Sequence, residues 1–375
     1  MEKLIKQRPR VLLLIPHLGG GGAEKVFAQL AQGLSRDRYD VHLGLATQPT
    51  VPADAFSSGV TIHALGASRV RYAALRLLKL VRRLQPNLDV SGMFHLNFLV
   101  LLLRPFFPAS TCVLVRQNGT VSASLAFDGL PAYTRLLYRQ LYRRADGVIC
   151  QSAGMAADLA RELGIEETRL AVLANPLDVD AIRNATRDGS SLWTGLGPHL
   201  LAVGRLSPEK GFDLLLHALA VVREQIPAAD LVIAGAGPEE AALRLQCKRL
   251  GLEAAVRFVG HIDQPFAYFA GATAFVLSSR HEGMPNALLE AAAGGLPVVA
   301  LPASHGVTDL LRGQPGAWLA TEASSSALTA ALLAALLALR PGERFEHAFI
   351  EDFRVEYALA AYEDLFDSVL KQRRR

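Results

Sequence analysis

Short apolar runs alternate with longer helix-period stretches along this chain, and they do so in two successive series. The first series predicts strands at Arg10–Ile15, Val41–Ala46, Val113–Arg116 and Gly147–Gln151. Its helices are Ala23–Leu34, with Val26, Phe27, Leu30 and Leu34 on one face, Arg71–Leu84, ended by Pro86, and Tyr133–Arg144. The second series predicts strands at His199–Gly204, Asp230–Ala234, Val256–Val259, Ala274–Ser278 and Pro297–Leu301. Between and after them lie helices at Gly211–Gln225, Pro238–Leu250, Pro285–Gly294 and Ala323–Leu339. Apolar strands that alternate with helices form parallel sheets covered on both faces. A length of 375 residues exceeds what one core serves. The expected fold class is therefore α/β, with two doubly wound domains. The Asn-, Asp-, Ser- and Gly-rich stretch Asn175–Leu192 is the expected join.

Composition narrows the function classes. With 51% hydrophobic and 20% charged residues the chain is an ordinary globular sequence, not a disordered or fibrous one. Three widely spaced cysteines, Cys112, Cys150 and Cys247, form neither a disulfide framework nor a zinc pattern and suit a reducing compartment. No apolar run reaches the roughly 18 residues of a membrane span, and Val11–Pro16 is too short for a signal-peptide core. The expected location is cytoplasmic. Residues 1–190 hold 23 Lys and Arg against 15 Asp and Glu, or +8, whereas residues 191–375 hold 16 against 20, or −4. A basic first half favours phosphates, anionic lipid or nucleic acid. No aromatic-rich strand or recognition motif supports nucleic acid, so a nucleic-acid-binding module stands only as an alternative.

Three segments have the composition of binding loops. Gly19-Gly20-Gly21-Gly22-Ala23-Glu24 lies between a strand and a helix, where glycines let the backbone approach a ligand and the helix start favours anions. It is neither a P-loop nor a clean dinucleotide fingerprint, and a purely structural turn stays open. Gly204-Arg205-Leu206-Ser207-Pro208-Glu209-Lys210-Gly211 puts two cations on a loop leading into a helix, where they could converge on one diphosphate. His281-Glu282-Gly283-Met284-Pro285-Asn286-Ala287-Leu288-Leu289-Glu290 spaces two glutamates around a helix start, with Pro285 in the first turn. Glu290 is read either as a diol acceptor or as a first-turn acid that complements the helix dipole. Gly235-Ala-Gly237 after a strand keeps a nicotinamide-dependent oxidoreductase as an alternative, although Glu240 stands where its last glycine belongs.

Taken in order, Gly-Gly-x-Glu, Gly-Arg-Leu-x-x-x-Lys-Gly and Glu-x7-Glu followed by Gly-Gly-Leu-Pro-Val-Val resemble the retaining GT-B glycosyltransferases of family 4. Tyr142–Ser152 and Asn175-Pro-Leu-Asp178 resemble family segments at the corresponding places, so the resemblance covers nearly the whole chain. It implies an N-terminal acceptor-binding domain at 1–185, with a C-terminal helix at about 355–375 packing back on it, and a nucleotide-sugar-binding domain at 190–350. Arg205 and Lys210 would hold the donor diphosphate, Glu290 the ribose, and Glu282 with the backbone of Gly283, Met284, Pro285 and Asn286 the sugar and its phosphate. His261 and Ile262 would meet the base. Gly21 and Gly22 would close over the diphosphate, and His95 would lie beside the transferred sugar. The catalytic set is then His95, Glu282, Arg205 and Lys210. Glu24, Arg116 and Asn118 are placed on the acceptor side.

The same resemblance implies retention of anomeric configuration, with no covalent nucleophile. It implies a UDP-sugar ahead of a GDP-sugar as donor, and a hexosyl or N-acetylhexosaminyl group as cargo. A glycan or polyprenyl-linked acceptor in envelope polysaccharide or glycoconjugate synthesis follows. No cofactor is expected. Asp178-Val-Asp180 is the sole Asp-x-Asp and falls at the expected join, so no metal is expected either. The cations at 69, 71, 76, 79, 82 and 83 suggest peripheral contact with an anionic membrane face. The segment Ala303–Asp309 departs from the acidic, glycine-bearing loop of many relatives. A catalytically dead partner of an active transferase is a further alternative, against which the intact Arg, Lys and Glu set argues.

Overall fold

Val11, Leu13 and Ile15 face one side of strand β1 (Arg10–Ile15), Leu12 and Leu14 the other, and the computed structural model buries all five. A strand apolar on both faces needs a helical layer on each. The structure describes residues 8–19, 21–47, 59–122, 132–188, 192–195 and 197–373. The chain divides into two units, Met1–Pro176 with Val355–Arg375, and Leu177–Arg354.

In the first unit β1 is joined by β2 (Asp40–Leu45), β3 (Val60–Ala64), β4 (Leu88–Gly92), β5 (Cys112–Arg116), β6 (Gly147–Cys150) and β7 (Leu170–Val172). They form one parallel seven-stranded sheet in the order β3-β2-β1-β4-β5-β6-β7, with Val11 opposite both Val41 and Leu88. Helix Gly22–Gly33 and the last helix, Val355–Arg373, cover the Val11 side. Helices Ala74–Leu84, Phe94–Leu103, Ala132–Tyr142 and Ala153–Leu163 cover the other. The last helix is fastened by specific polar contacts. Tyr39 Oη donates to Asp367 Oδ1 at 2.7 Å, Glu363 Oε1 accepts from Ser35 N at 2.7 Å, and Arg38 pairs with Glu363.

The second unit contains β8 (His199–Val203), β9 (Asp230–Ala234), β10 (Val256–Phe258), β11 (Ala274–Leu277), β12 (Val298–Ala300) and β13 (Ala317–Leu319). Its parallel order is β10-β9-β8-β11-β12-β13. In both sheets the winding reverses once, between β1 and β4 in the first and between β8 and β11 in the second. Ligands of open parallel sheets sit beyond the carboxyl ends of the strands at such a reversal.

Several boundaries differ from expectation. The units divide at Pro176 and Leu177, earlier than the expected 185–190. Asn175–Leu192 is not a bare linker, because most of it is the helix Val179–Asp188. Val179, Ile182 and Thr186 are buried on one face of that helix, a helical spacing masked by its polar composition. Residues 189–191 of that stretch lie outside the described residues. Strand β4 escapes prediction because Asp89, Ser91 and Gly92 make it read as a loop, yet it is buried throughout. The predicted helix Arg71–Leu84 resolves into a 3-10 turn, Val70–Ala73, and the helix Ala74–Leu84.

Candidate active site

In the second unit the loops after β8, β9, β10, β11 and β12 are stitched to one another. Gly211 takes φ +62°, and a Cβ there would fall 2.1 Å from Ser278 O, so only glycine lets the β8 loop lie against the β11 loop. Ser278 Oγ donates to Lys210 O at 2.8 Å, and Arg280 N donates to Glu209 O at 2.8 Å. Arg280 also forks onto Asp213, at 2.7 and 2.5 Å. Burial alone would push the Asp213 carboxyl up, but the Arg280 hydrogen bonds and charge outweigh it and hold it below the usual range. The Asp213 hydrogen bond in turn raises Arg280.

These contacts bring together two predicted residues 72 positions apart. Lys210 Nζ lies 2.6 Å from Glu282 Oε1, which also accepts from Ser279 Oγ at 2.7 Å. The pair sits beyond β8 and β11, at the reversal of the sheet. Side-chain exposures of 25% for Lys210 and 11% for Glu282 leave the ammonium partly open while the carboxylate is mostly covered. Glu282 N donates to Ala303 O at 3.0 Å, and Ser304 Oγ donates to Gly283 O at 3.3 Å, so the β12 loop braces the segment. The divergent stretch 303–309 thus supplies a strut, with Ser304 capping the helix His305–Leu311 through Val307 N.

The other second-unit residues fall around this pair. Arg205 is exposed and, among the described residues, its guanidinium has no partner. Glu290 is buried and is the fifth residue of the helix Asn286–Ala293, past its first turn, which corrects the first-turn reading. Pro285 precedes that helix as its N-cap rather than opening its first turn. Gly283 is buried, Met284 and Asn286 are half-buried, and the helix start leaves its first amides outside the intrahelical ladder. His261 is exposed and pairs with Asp263 at 2.9 Å, with Ile262 half-buried beside it. Gly235 does not form a dinucleotide turn. A Cβ there would fall 1.8 Å from Gly204 O, and its N–H donates to Gly260 O at 2.7 Å, so it fastens three loops.

The first unit has its own reversal, between β1 and β4. Gly21 is the N-cap of helix Gly22–Gly33, and the Glu24 carboxylate folds back over it, with Oε2 2.3 Å from where a Cβ would be. Gly20 lies outside the described residues. Glu24 is buried and lies 3.6 Å from His17 Nδ1, which accepts from Gly19 N at 3.1 Å. His95 is exposed, the second residue of helix Phe94–Leu103, and packs edge-on to Phe94. Met93 before it takes φ +70°, a strained conformation for a residue with a side chain. Asn97, two residues on, is buried and joins Ser91 Oγ, at 2.8 Å, to Arg116 O, at 2.9 Å.

Arg116 departs from the acceptor-side expectation. It is 1% exposed, and its guanidinium donates to Tyr362 Oη, Asn118 Oδ1 and Asn175 Oδ1. It locks the last helix and two loops; Asn118 alone of that pair keeps surface. Sequence reasoning missed Ser279, Arg280 and Asp213 in the second unit and His17 in the first. A Ser-Ser-Arg run directly after β11, and a histidine directly after β1, were the available signals. Among the described residues no group of three or more His, Cys, Asp or Glu is placed to hold a metal ion.

Comparison with known proteins decides the family. Residues 197–338 match the model described as glycosyl transferases group 1, and residues 21–176 match that of a glycosyl transferase 4-like domain. A Haemophilus influenzae protein named as an uncharacterized glycosyltransferase is 33% identical over 78% of this chain and 80% of its own length. The chain belongs to the group 1 glycosyltransferases. Another relative of this glycosyltransferase, from Campylobacter jejuni, is 28% identical over 80% of this chain and 82% of its own length. It is named N-acetylgalactosamine-N,N'-diacetylbacillosaminyl-diphospho-undecaprenol 4-alpha-N-acetylgalactosaminyltransferase. Among solved structures, Thermosynechococcus elongatus sucrose-phosphate synthase superposes with a TM-score of 0.82 at 18% identity, over 97% of this chain and all of that one. Anabaena HepE in complex with UDP-glucose does so with 0.80 at 18%, over 96% and 100%. The fold is GT-B.

Proposed function

We propose that this glycosyltransferase moves a hexosyl or N-acetylhexosaminyl group from a UDP-sugar to a glycan or polyprenyl-linked acceptor of the bacterial envelope. Anomeric configuration is retained and no metal takes part. The observation behind this reading is the Lys210–Glu282 pair at the β8/β11 reversal, with the unpartnered Arg205 on the same loop. The UDP-glucose complex of HepE and the diphospho-undecaprenol in the Campylobacter relative's name support the choice of donor and acceptor.

Cleavage of the sugar–phosphate bond leaves charge on the diphosphate. In the proposed site Lys210 and Arg205 meet that charge, aided by the amides at the start of helix Asn286–Ala293. Glu282 and Ser279 hold the Lys210 ammonium in place before the donor arrives. When a diphosphate takes the ammonium, the Glu282 carboxylate is released toward the sugar. Glu290 accepts from the ribose hydroxyls. His261 and Ile262 border the base. His95 and Asn118 serve the transferred sugar and the acceptor, with Glu24 held beside His17.

The protein works from the cytoplasm as a peripheral visitor to anionic lipid. No helix among the described residues is long and apolar enough to cross a membrane. The helix Ala74–Leu84 and the turn before it expose Lys79, Arg82 and Arg83 together with Tyr72 and Leu75. Arg76 is already committed, donating to Leu65 O and Gly66 O at 2.6 Å each. Turnover with a UDP-sugar panel in excess chelator, with the product's anomeric configuration read by NMR, tests the reading. A strict need for added divalent metal, or an inverted product, would overturn it.

A further inference from the structure

A cleft of the Leu177–Arg354 unit is lined by none of the residues assigned to the transfer reaction above. It is a solvent-open cleft of about 710 Å³ beside Gly294 and Gly295, at the far end of the helix that begins at Asn286. Arg183, Arg187 and Arg344 line it, with Glu346 the one acid of its wall. Among the described residues, of the three guanidiniums only Arg183 has a carboxylate partner, Glu351 at 2.9 Å. Among the described residues Arg344 donates to carbonyls alone, those of Phe269, Ala270 and Glu343, and burial lowers its pKa. Arg187 is exposed and, among the described residues, has no partner. Thr186 lines the same wall; its residue is 91% buried and its hydroxyl has no hydrogen-bond partner among the described residues.

Uncompensated guanidiniums at the wall of a cavity of ligand size favour an anion with several acceptor oxygens in one cluster. A phosphoryl group offers two such guanidiniums three acceptor oxygens and nearly two charges, where a single carboxylate offers two oxygens and one charge. We propose that this cleft binds a small phosphorylated molecule, whose phosphoryl dianion is held by the guanidiniums of Arg187 and Arg344. The site is distinct from the Lys210–Glu282 pair. Because Ala293 and Gly294, at the end of the helix that bears Glu290, line the cleft, an occupant braces that helix.

The test uses the full chain carrying Arg205→Ala and Lys210→Ala, which weakens the donor clamp. Thermal stability and calorimetric binding are measured with inorganic phosphate, glycerol 3-phosphate, malonate and chloride at matched ionic strength. The expected result is stabilisation by the two phosphates alone, with glycerol 3-phosphate binding weakened about tenfold or more by a further Arg187→Glu. Arg187→Glu is used because Arg344 also caps carbonyls and its loss could disturb folding; Arg187→Ala, at the same exposed position, gives a second variant with the same direction. If phosphates act on the wild type but not on the clamp-weakened chain, the binding belongs to the donor site and the proposal falls. It falls equally if malonate or chloride matches phosphate, if no probe binds, or if both cavity variants respond like their parent.

Discussion

The two sheet reversals of this glycosyltransferase use opposite strategies. At β8 and β11, side chains and backbone from five loops interlock, and the central ion pair is held by a third residue, Ser279. At β1 and β4 the candidate His95 is exposed, while Glu24 turns back to its own loop and Arg116 is consumed inside the unit. A diphosphate is the same group whatever sugar is attached, so a rigid preorganised edge suits it. The acceptor proposed for the first unit varies, and an edge whose interior is fixed while His95 stays exposed suits that.

The comparison predicts that damage to the second unit's reversal is the costlier. Lys210→Ala is expected to lower kcat by about 10²-fold or more, the scale of a lost charge-stabilising donor, with the far-UV spectrum unchanged. Arg205→Ala, on the same loop but unpartnered, is expected to follow the same direction; steady-state kinetics on both variants checks this. Next in size, Glu282→Gln is expected to cut kcat and Glu290→Gln chiefly to raise the donor KM, because the first is proposed to face the sugar and the second the ribose. Swapped effects in donor titrations would remove those assignments. In the first unit His95→Ala is expected to cost about 10-fold to 10²-fold in kcat/KM for acceptor, with donor KM unmoved, as for one proton-handling or positioning group.

The smallest effect concerns stability of the first unit alone. Asp89 is wholly buried in β4 without a hydrogen-bond partner among the described residues. Burial raises its carboxyl well above the usual range, against a lesser opposing pull from Arg104. The folded state therefore keeps a proton that the unfolded chain loses, so stability is greatest below the unfolded carboxylate's pKa and falls as pH rises toward the folded one. Asp89→Asn is expected to raise Tm at pH 8 by about 2–4 °C, the shift that about 1 kcal/mol produces in a domain of this size. The gain should shrink toward pH 4. A gain independent of pH would show that Asp89 is not held protonated.

What the sequence shows and what it hides follow the same division. Uniformly apolar strands such as β1 and β9 are legible to the residue, since Arg10–Ile15 and Asp230–Ala234 are found where expected. Strand β4 and the helix Val179–Asp188 are not, because Asp89, Ser91 and the Asn- and Asp-rich composition imitate loops. In the site, Lys210 and Glu282 stand out by residue type and by their place after strands. Ser279 and the Arg280–Asp213 pair do not, since their meaning arises only when two loops, with Arg280 and Asp213 67 residues apart in the chain, are laid together by Gly211. Arg116 shows the converse, a cation whose position suggests a substrate and whose burial assigns it to the frame.

The central claim is that the β8/β11 reversal receives the nucleoside diphosphate of the donor. Calorimetric titration of UDP into the wild type and Lys210→Ala, each with and without excess chelator, tests it most directly. The account predicts binding to the wild type that chelator does not change, and affinity at least about tenfold weaker in Lys210→Ala, as expected for one lost charge-assisted contact. Equal affinity in the two proteins, or binding that vanishes with chelator, would contradict it.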